Sequence, residues 1–161
     1  DVLFAEAAFE TRQTNWDKVL AIYTQIEEDF PSDPRAAEAA LKKADTLMAL
    51  GKRQEASEKY EEILKSPSWR GESYAEALFK LGNIARDAKD PNKAIMYYER
   101  CFLGYANCYN WTGKAVIQAA KVLAAEGKRD EGRAICKEFV GNEENKKSPD
   151  YEEVKQLELT I

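Results

Sequence analysis

The sequence predicts an all-α fold: four helical hairpins laid side by side and closed by a C-terminal helix. Two observations predict it. A paired anchor, a small or branched residue followed four later by a larger side chain, returns every 37 to 38 residues as Val19/Tyr23, Ala56/Tyr60, Ala94/Tyr98 and Gly132/Cys136. Upstream of the last three anchors stand rows at i, i+3, i+4 and i+7, one face of an α-helix. They are Ala40, Lys43, Ala44 and Leu47, then Leu78, Leu81, Gly82 and Ala85, then Val116, Ala119, Ala120 and Leu123.

In chain order, helices are expected at about 2–13, 15–29, 34–50, 53–65, 72–88, 92–103, 111–126 and 128–140. The first copy is truncated, and its row of Leu3, Glu6, Ala7 and Glu10 is the weakest match. In the second and fourth copies the helices are separated by Leu50-Gly51-Lys52 and Glu126-Gly127-Lys128. There a left-handed residue that glycine adopts cheaply ends the first helix. The third copy has Lys89-Asp90-Pro91 instead, with Asp90 placed to cap the next helix and Pro91 in its first turn. Connections between copies carry the remaining breakers: Phe30 to Pro34, Ser66 to Gly71, and the aromatic run from Tyr105 to Trp111. A last helix follows Ser148-Pro149-Asp150, with Tyr151, Val154 and Leu157 facing the open end of the stack and glutamates outside.

These residues resemble a tetratricopeptide repeat, a helix-turn-helix of about 34 residues. Leu78, Leu81, Gly82, Ala94, Tyr98 and Cys101 match its pattern best, and Ala40, Lys43, Ala44, Leu47, Ala56, Tyr60 and Ile63 follow. The family's anchor Trp is here Ala40, Leu78 or Val116. Ile63 to Leu78 and Cys101 to Val116 each span 15 residues, where the family's period allows about 11. The resemblance implies a right-handed α-α superhelix, read as one solenoid domain with repeats at about 2–31, 34–67, 72–104 and 109–141 and a capping helix at about 149–160. The phrase from Phe30 to Ala39 resembles the inter-repeat joint of bacterial envelope members of this class, the Tol-Pal-associated periplasmic and outer-membrane assembly lipoprotein types. That joint favours a periplasmic or cell-envelope location over the cytoplasm.

Composition limits the function classes. Of the residues, 44% are hydrophobic, enough for a continuous seam, and 33% are charged, with a net charge of −5. The cations are interspersed with acids and form no basic stripe, which argues against nucleic acid as a partner. No run approaches the ~18 apolar residues of a membrane span, so direct insertion is not expected. Beginning at Asp1 and not at Met, the sequence reads as a piece of a longer protein.

Three cysteines and no histidine offer no zinc-type spacing. Cys101 and Cys136 fall in core slots and read as small buried hydrophobes. Cys108 lies in a connection, where pairing with Cys101 is the alternative. General acid–base chemistry would fall to carboxylates, Lys, Tyr or Cys. Adjacent acids such as Glu61/Glu62 and Glu152/Glu153 diverge by roughly 100° on a helix and cannot converge on one atom. Gly51-Lys52 and Gly127-Lys128 lack the rest of a phosphate loop. No catalytic residue, cofactor or metal is expected, and an enzyme is the reading this argues against.

The resemblance implies that first helices line a concave groove through positions two, five, six, nine and twelve of each unit. These are Glu38, Leu41, Lys42, Asp45 and Met48; Glu76, Phe79, Lys80, Asn83 and Arg86; and Lys114, Ile117, Gln118, Lys121 and Ala124. The fifth position is apolar throughout: Phe4, Leu41, Phe79, Ile117. Such a ladder flanked by Lys, Arg and Asn either anchors a peptide or packs first helices together. Trp69, Tyr105, Tyr109 and Trp111 in the connections are a second candidate surface, or plugs for the longer gaps. The expected function is a non-catalytic module that binds a peptide or helix of another protein. A structural spacer or self-assembling homo-oligomer is the alternative.

Some family members grip a C-terminal carboxylate with Lys at position five and Asn at position nine. Here Leu41 and Phe79 hold the former and Asp45 one of the latter, leaving Asn83 alone as a match. A peptide ending in acidic residues is therefore expected to bind no better than its amidated form in a calorimetric titration. A large loss on amidation would contradict this.

Overall fold

Each hairpin turns on the same backbone device. A left-handed residue closes the first helix: Thr14 (φ 57°), Gly51 (φ 75°), Lys89 (φ 63°) and Gly127 (φ 81°). The next N–H then donates back five residues, Asn15 to Glu10, Lys52 to Leu47, Asp90 to Ala85 and Lys128 to Leu123, at 2.9–3.0 Å. This is a Schellman closure, which satisfies carbonyls that the helix end would leave orphaned. It recurs with the period of the sequence anchors. The glycines at 51 and 127 fit expectation. Thr14 and Lys89 adopt the same conformation without glycine's freedom, and Lys89 is compensated by the expected cap, in which Asp90 Oδ1 accepts the Lys93 N–H at 3.0 Å.

The computed structural model describes residues 2–161. Among them are nine α-helices and no strand. They are α1 (Val2–Arg12), α2 (Trp16–Asp29), α3 (Ala36–Ala49), α4 (Arg53–Ile63), α5 (Glu72–Asp87), α6 (Pro91–Gly104), α7 (Tyr109–Ala125), α8 (Arg129–Gly141) and α9 (Tyr151–Thr160), with short 3-10 turns at Pro67–Trp69 and Glu143–Lys147. The chain forms two compact units, Asp1–Ser73 and Tyr74–Ile161. The expected hairpins are present, with one shift: α7 begins at Tyr109, so Tyr109 and Trp111 belong to its first turn and not to the connection. The Thr112 N–H already donates to the Cys108 carbonyl at 3.1 Å, which starts the helix there.

In the first unit, Ala7, Val19, Ile22, Tyr23, Ile26 and Ala39 form a buried cluster. Of the charged residues in slots where the pattern calls for apolar ones, Lys43 and Glu10 are largely withdrawn from solvent and each has a partner. Lys43, in the place Leu81 takes one copy later, lies 2.7 Å from one oxygen of Glu27 on α2, and Lys59 of α4 lies 2.6 Å from the other. All three side chains are at most 20% exposed, so the carboxylate between two ammonium groups compensates their desolvation. Glu10 is 9% exposed and accepts from the Asn15 amide at 2.5 Å, which is the main reason its carboxyl lies below the usual range despite burial.

In the second unit, Leu78, Leu81, Tyr98 and Cys101 are at most 1% exposed. Each such aliphatic side chain contributes about 1.5–3 kcal/mol of burial. Gly82 is required by space: a Cβ there would lie 2.4 Å from the Tyr98 ring. In the fourth hairpin the anchor pair shrinks to Gly132 and Cys136. A Cβ on Gly132 would stand 3.0 Å from the Ala120 carbonyl oxygen. Helix α9 caps the seam, with Val154 fully buried against Val116, Ile117, Ala120 and Cys136. It is tied down by the Tyr151 hydroxyl donating to the Val140 carbonyl and by Ser148 Oγ donating to the Tyr109 carbonyl, both at 3.0 Å. The three cysteines are buried thiols. Cys101 Sγ donates to the Ala75 carbonyl at 3.4 Å, so it is a packing thiol and not half of a disulfide with Cys108.

Two substitutions test this account by urea denaturation, in opposite directions. Lys89→Gly removes a left-handed L-residue and should raise stability by up to about 1 kcal/mol. Gly82→Ala forces the Tyr98 ring aside and should lower it by about 1–3 kcal/mol, in spite of alanine's better helix propensity.

Candidate protein-binding surface

A buried tyrosine must place its hydroxyl, and the hairpins solve this in one way. Tyr60 and Tyr98 are fully buried, yet the Tyr60 hydroxyl donates to Asp45 Oδ1 at 2.5 Å and the Tyr98 hydroxyl to Asn83 Oδ1 at 2.8 Å. Both acceptors sit fifteen residues before their tyrosine, on the first helix of the same hairpin. Position nine is thus occupied in holding the hairpin together. The sequence carried this signal as a second spacing, Asp45/Tyr60 and Asn83/Tyr98, that the anchor series alone does not reveal. In the first hairpin Ala8 stands at that place and offers no acceptor.

On α3, Leu41 is 6% exposed and belongs to the core, Asp45 serves Tyr60, and Lys42 and Met48 face outward to different degrees. On α5 and α7 the expected residues are partly brought together. Arg86 Nη1 donates to Gln118 Oε1 at 2.7 Å, a bond between hairpins three and four, while its other nitrogens hold Asp87 at 2.9 and 3.1 Å. Phe79 is half-buried between the Tyr98 ring, 6.0 Å away, and the Trp111 ring, 5.6 Å away. Lys80 is half-buried, and Lys121 is exposed with Glu153 of α9 at 3.5 Å. Ile117 is 3% exposed and packs under α9.

The apolar ladder therefore divides. Leu41 and Ile117 are packing residues, whereas Phe4 and Phe79 keep part of their surface. Phe4 lies edge-on to Tyr23 at 6.1 Å with the Arg35 guanidinium 4.1 Å over its face. The connection aromatics are half-buried and engaged: Tyr105 against Tyr74 at 5.8 Å, Trp111 against Phe79, and Tyr109 with its hydroxyl 3.3 Å from Glu144. Residues that the repeat frame did not single out complete the face. The Lys114 ammonium stands 4.7 Å over the Trp111 ring, and Glu153 comes from the capping helix. On α5 and α7, Phe79 and Trp111 thus form an aromatic pair with Lys114 over Trp111, and Lys80, Arg86 and Lys121 lie on the same two helices.

Burial pushes the Tyr98 hydroxyl up to about 12, with Arg86 opposing and Asp87 reinforcing the shift. The Cys136 thiol is pushed up to about 11, by burial first and Glu158 second, so it is protonated at neutral pH and no thiolate nucleophile arises there. Among the described residues no group of three or more Cys, Asp or Glu could hold a metal ion, and no helix is long and apolar enough to cross a membrane.

Successive αα-hairpins define a helical-repeat fold. Residues 75–103, the third hairpin, match the tetratricopeptide repeat family model. Seventeen solved chains share the fold at a significant level. One is the crystal structure of MamA protein, with a TM-score of 0.64 at 16% sequence identity, over 97% of this chain and 86% of that one. No curated protein matches the sequence significantly. The first match places the family's repeat on the third hairpin, and the second shows the fold.

Tyr98→Phe tests the tether. Loss of one hydrogen bond should cost about 0.5–1.5 kcal/mol at neutral pH. The native hydroxyl holds its proton more tightly than the unfolded one, so its contribution is full below pH 10 and lost as pH rises through about 12. Denaturation midpoints measured from pH 8 upward should therefore fall less steeply in Tyr98→Phe than in the wild type.

Proposed function

We propose that the chain is a non-catalytic module whose first-helix faces hold a peptide or helix of another protein. The observation that carries this reading is the half-buried Phe79–Trp111 pair on α5 and α7, with the Lys114 ammonium over the Trp111 ring and Lys80, Arg86 and Lys121 on the same two helices. Aromatic and Arg side chains concentrate binding energy at interfaces, and a face held by the Arg86–Gln118 bond loses little freedom on binding. Ile117 supports this face from beneath, and Asn83 fixes it by holding Tyr98. On α3 of the first unit, taken by itself, Leu41 and Asp45 play the same supporting parts for a face that Lys42 and Met48 offer. The partner segment presents an apolar anchor with acidic neighbours. A bacterial envelope setting is part of the proposal and rests on the joint from Phe30 to Ala39.

Self-assembly is the second reading, favoured by Val2, Phe9 and Phe30 of the first unit, which are 79%, 59% and 50% exposed. The test is a selection of displayed random peptides on the wild-type protein. Selected peptides should be rich in an aromatic or aliphatic residue beside Asp or Glu, and should lose about tenfold or more in affinity on a Lys80→Glu, Lys121→Glu variant. Equal binding to that variant would overturn the proposed face. A dimer in analytical ultracentrifugation, abolished by Phe9→Glu with Phe30→Glu, would support self-assembly instead.

A further inference from the structure

The second helices of the C-terminal unit, α6 and α8, carry a furrow that the α5/α7 face does not use. Part of it is a cavity of about 250 Å³ lined by Phe102, Thr112, Val116, Ile135 and Phe139 among others. It continues past Ile135 into an opening lined by Ile95, Met96, Leu123 and Ala134. Three observations single it out. Of the large hydrophobics in this unit that are exposed, Met96 (42%), Leu103 (65%) and Leu159 (75%), the first two line this furrow, seven residues apart on one face of α6. Thr112, only 1% exposed, lines the cavity, and its Oγ1 has no hydrogen-bond partner. The charged residues along the furrow are Glu99, Glu131 and Glu138 against Lys128 alone.

We propose that this furrow docks an amphipathic α-helix of a partner protein. A Trp or Tyr of that helix enters the cavity and donates its N–H or O–H to Thr112 Oγ1, and its flanking Lys or Arg residues face Glu99, Glu131 and Glu138. The cavity exceeds the ~150 Å³ that accommodates a benzene ring in a protein interior, so an indole fits. From Asn92 to Leu103 the rim of α6 runs roughly 16 Å, about three helical turns, the length covered by anchors at i, i+3 or i+4, and i+7. The excess of carboxylates selects a basic partner, in contrast to the acidic segment proposed for the α5/α7 face.

The probe is a synthetic acetylated and amidated helical peptide of about four turns, with a central Trp, Leu one turn to either side and Lys on the flanks. In amide NMR titrations, shifts should centre on Met96, Leu103, Thr112 and Ile135. Affinity should fall about tenfold or more for Trp→Ala in the peptide, for a scramble of the same composition, and for exposed Leu103→Glu in the protein. Thr112→Val should weaken the Trp peptide but not its Phe analogue, which has no N–H to donate. Equal binding of the scramble, or shifts confined to the Phe79 face, would overturn the furrow without touching the reading of that face. So would indole alone shifting Thr112 while the peptide does not bind, or a dimer of this chain that Leu103→Glu abolishes.

Discussion

The hairpins depend on a tyrosine held at both ends. Its ring fills a slot with no solvent exposure, and in the third hairpin only glycine opposite leaves room, since any Cβ at position 82 would lie inside the Tyr98 ring's contact distance. Its hydroxyl reaches the rim of the first helix and donates to Asp45 or Asn83. The ring sets the separation of the two helices, and the hydrogen bond sets their register. Burying the phenol without that acceptor would forfeit about 1–3 kcal/mol, so ring and acceptor form one feature. The consequence for recognition is direct. Position nine, which a carboxylate-gripping relative would turn toward its ligand, here has its side-chain oxygen turned toward the tyrosine.

In the fourth hairpin the tyrosine is absent, and the two helices pack on different terms. Cys136 has neither the bulk to hold α8 away from α7 nor a hydroxyl to tether, and Gly132 lets the backbones approach until a Cβ added there would touch the Ala120 carbonyl. The position-nine residue of this hairpin, Lys121, is then exposed and faces Glu153 of α9. The capping helix occupies the remaining seam with Val154, and Gly113 admits it: a Cβ there would stand 2.5 Å from Ser148 Oγ and 2.8 Å from Asp150 Cβ. A terminal repeat that meets a cap and not another hairpin is packed differently, as solenoid ends are.

What could be read from the sequence was local and periodic. Gly51, Gly127 and the Asp90 cap declare themselves by residue type, and the anchor series by its period. Lys43 could not be understood that way, because its partner Glu27 lies sixteen residues earlier on another helix, and Lys59 joins from a third. Thr14 and Lys89 hide left-handed turns behind ordinary side chains, and only the spacing to Gly51 and Gly127 marks them. On the candidate face the frame named Phe79, Arg86 and Gln118 but gave no exposure, so Leu41 and Ile117 ranked beside them although both are buried. Trp111 was assigned to a connection because an aromatic run without a capping side chain hides a helix start, and its contact with Phe79 is tertiary. The α6/α8 furrow left no periodic trace at all, since exposed Met96 and Leu103 look in sequence like any other apolar residues of a helix.

In the C-terminal unit the two proposed faces differ in the charges that line them, although α5 with α7 and α6 with α8 each hold residues of both signs. Lys80, Arg86, Lys114 and Lys121 lie on α5 and α7, whereas Glu99, Glu131 and Glu138 lie on α6 and α8. A helix with its side chains is about 10–12 Å across, comparable to the ~8 Å Debye length at physiological ionic strength. A segment approaching either face therefore meets the charges that line it and not the net charge of the chain. A segment suited to one proposed face meets like charge among the residues lining the other, which favours keeping the two proposed ligands apart without any conformational change. Within the third hairpin the Tyr98 tether holds α6 to α5 by packing and by a hydrogen bond that salt does not screen.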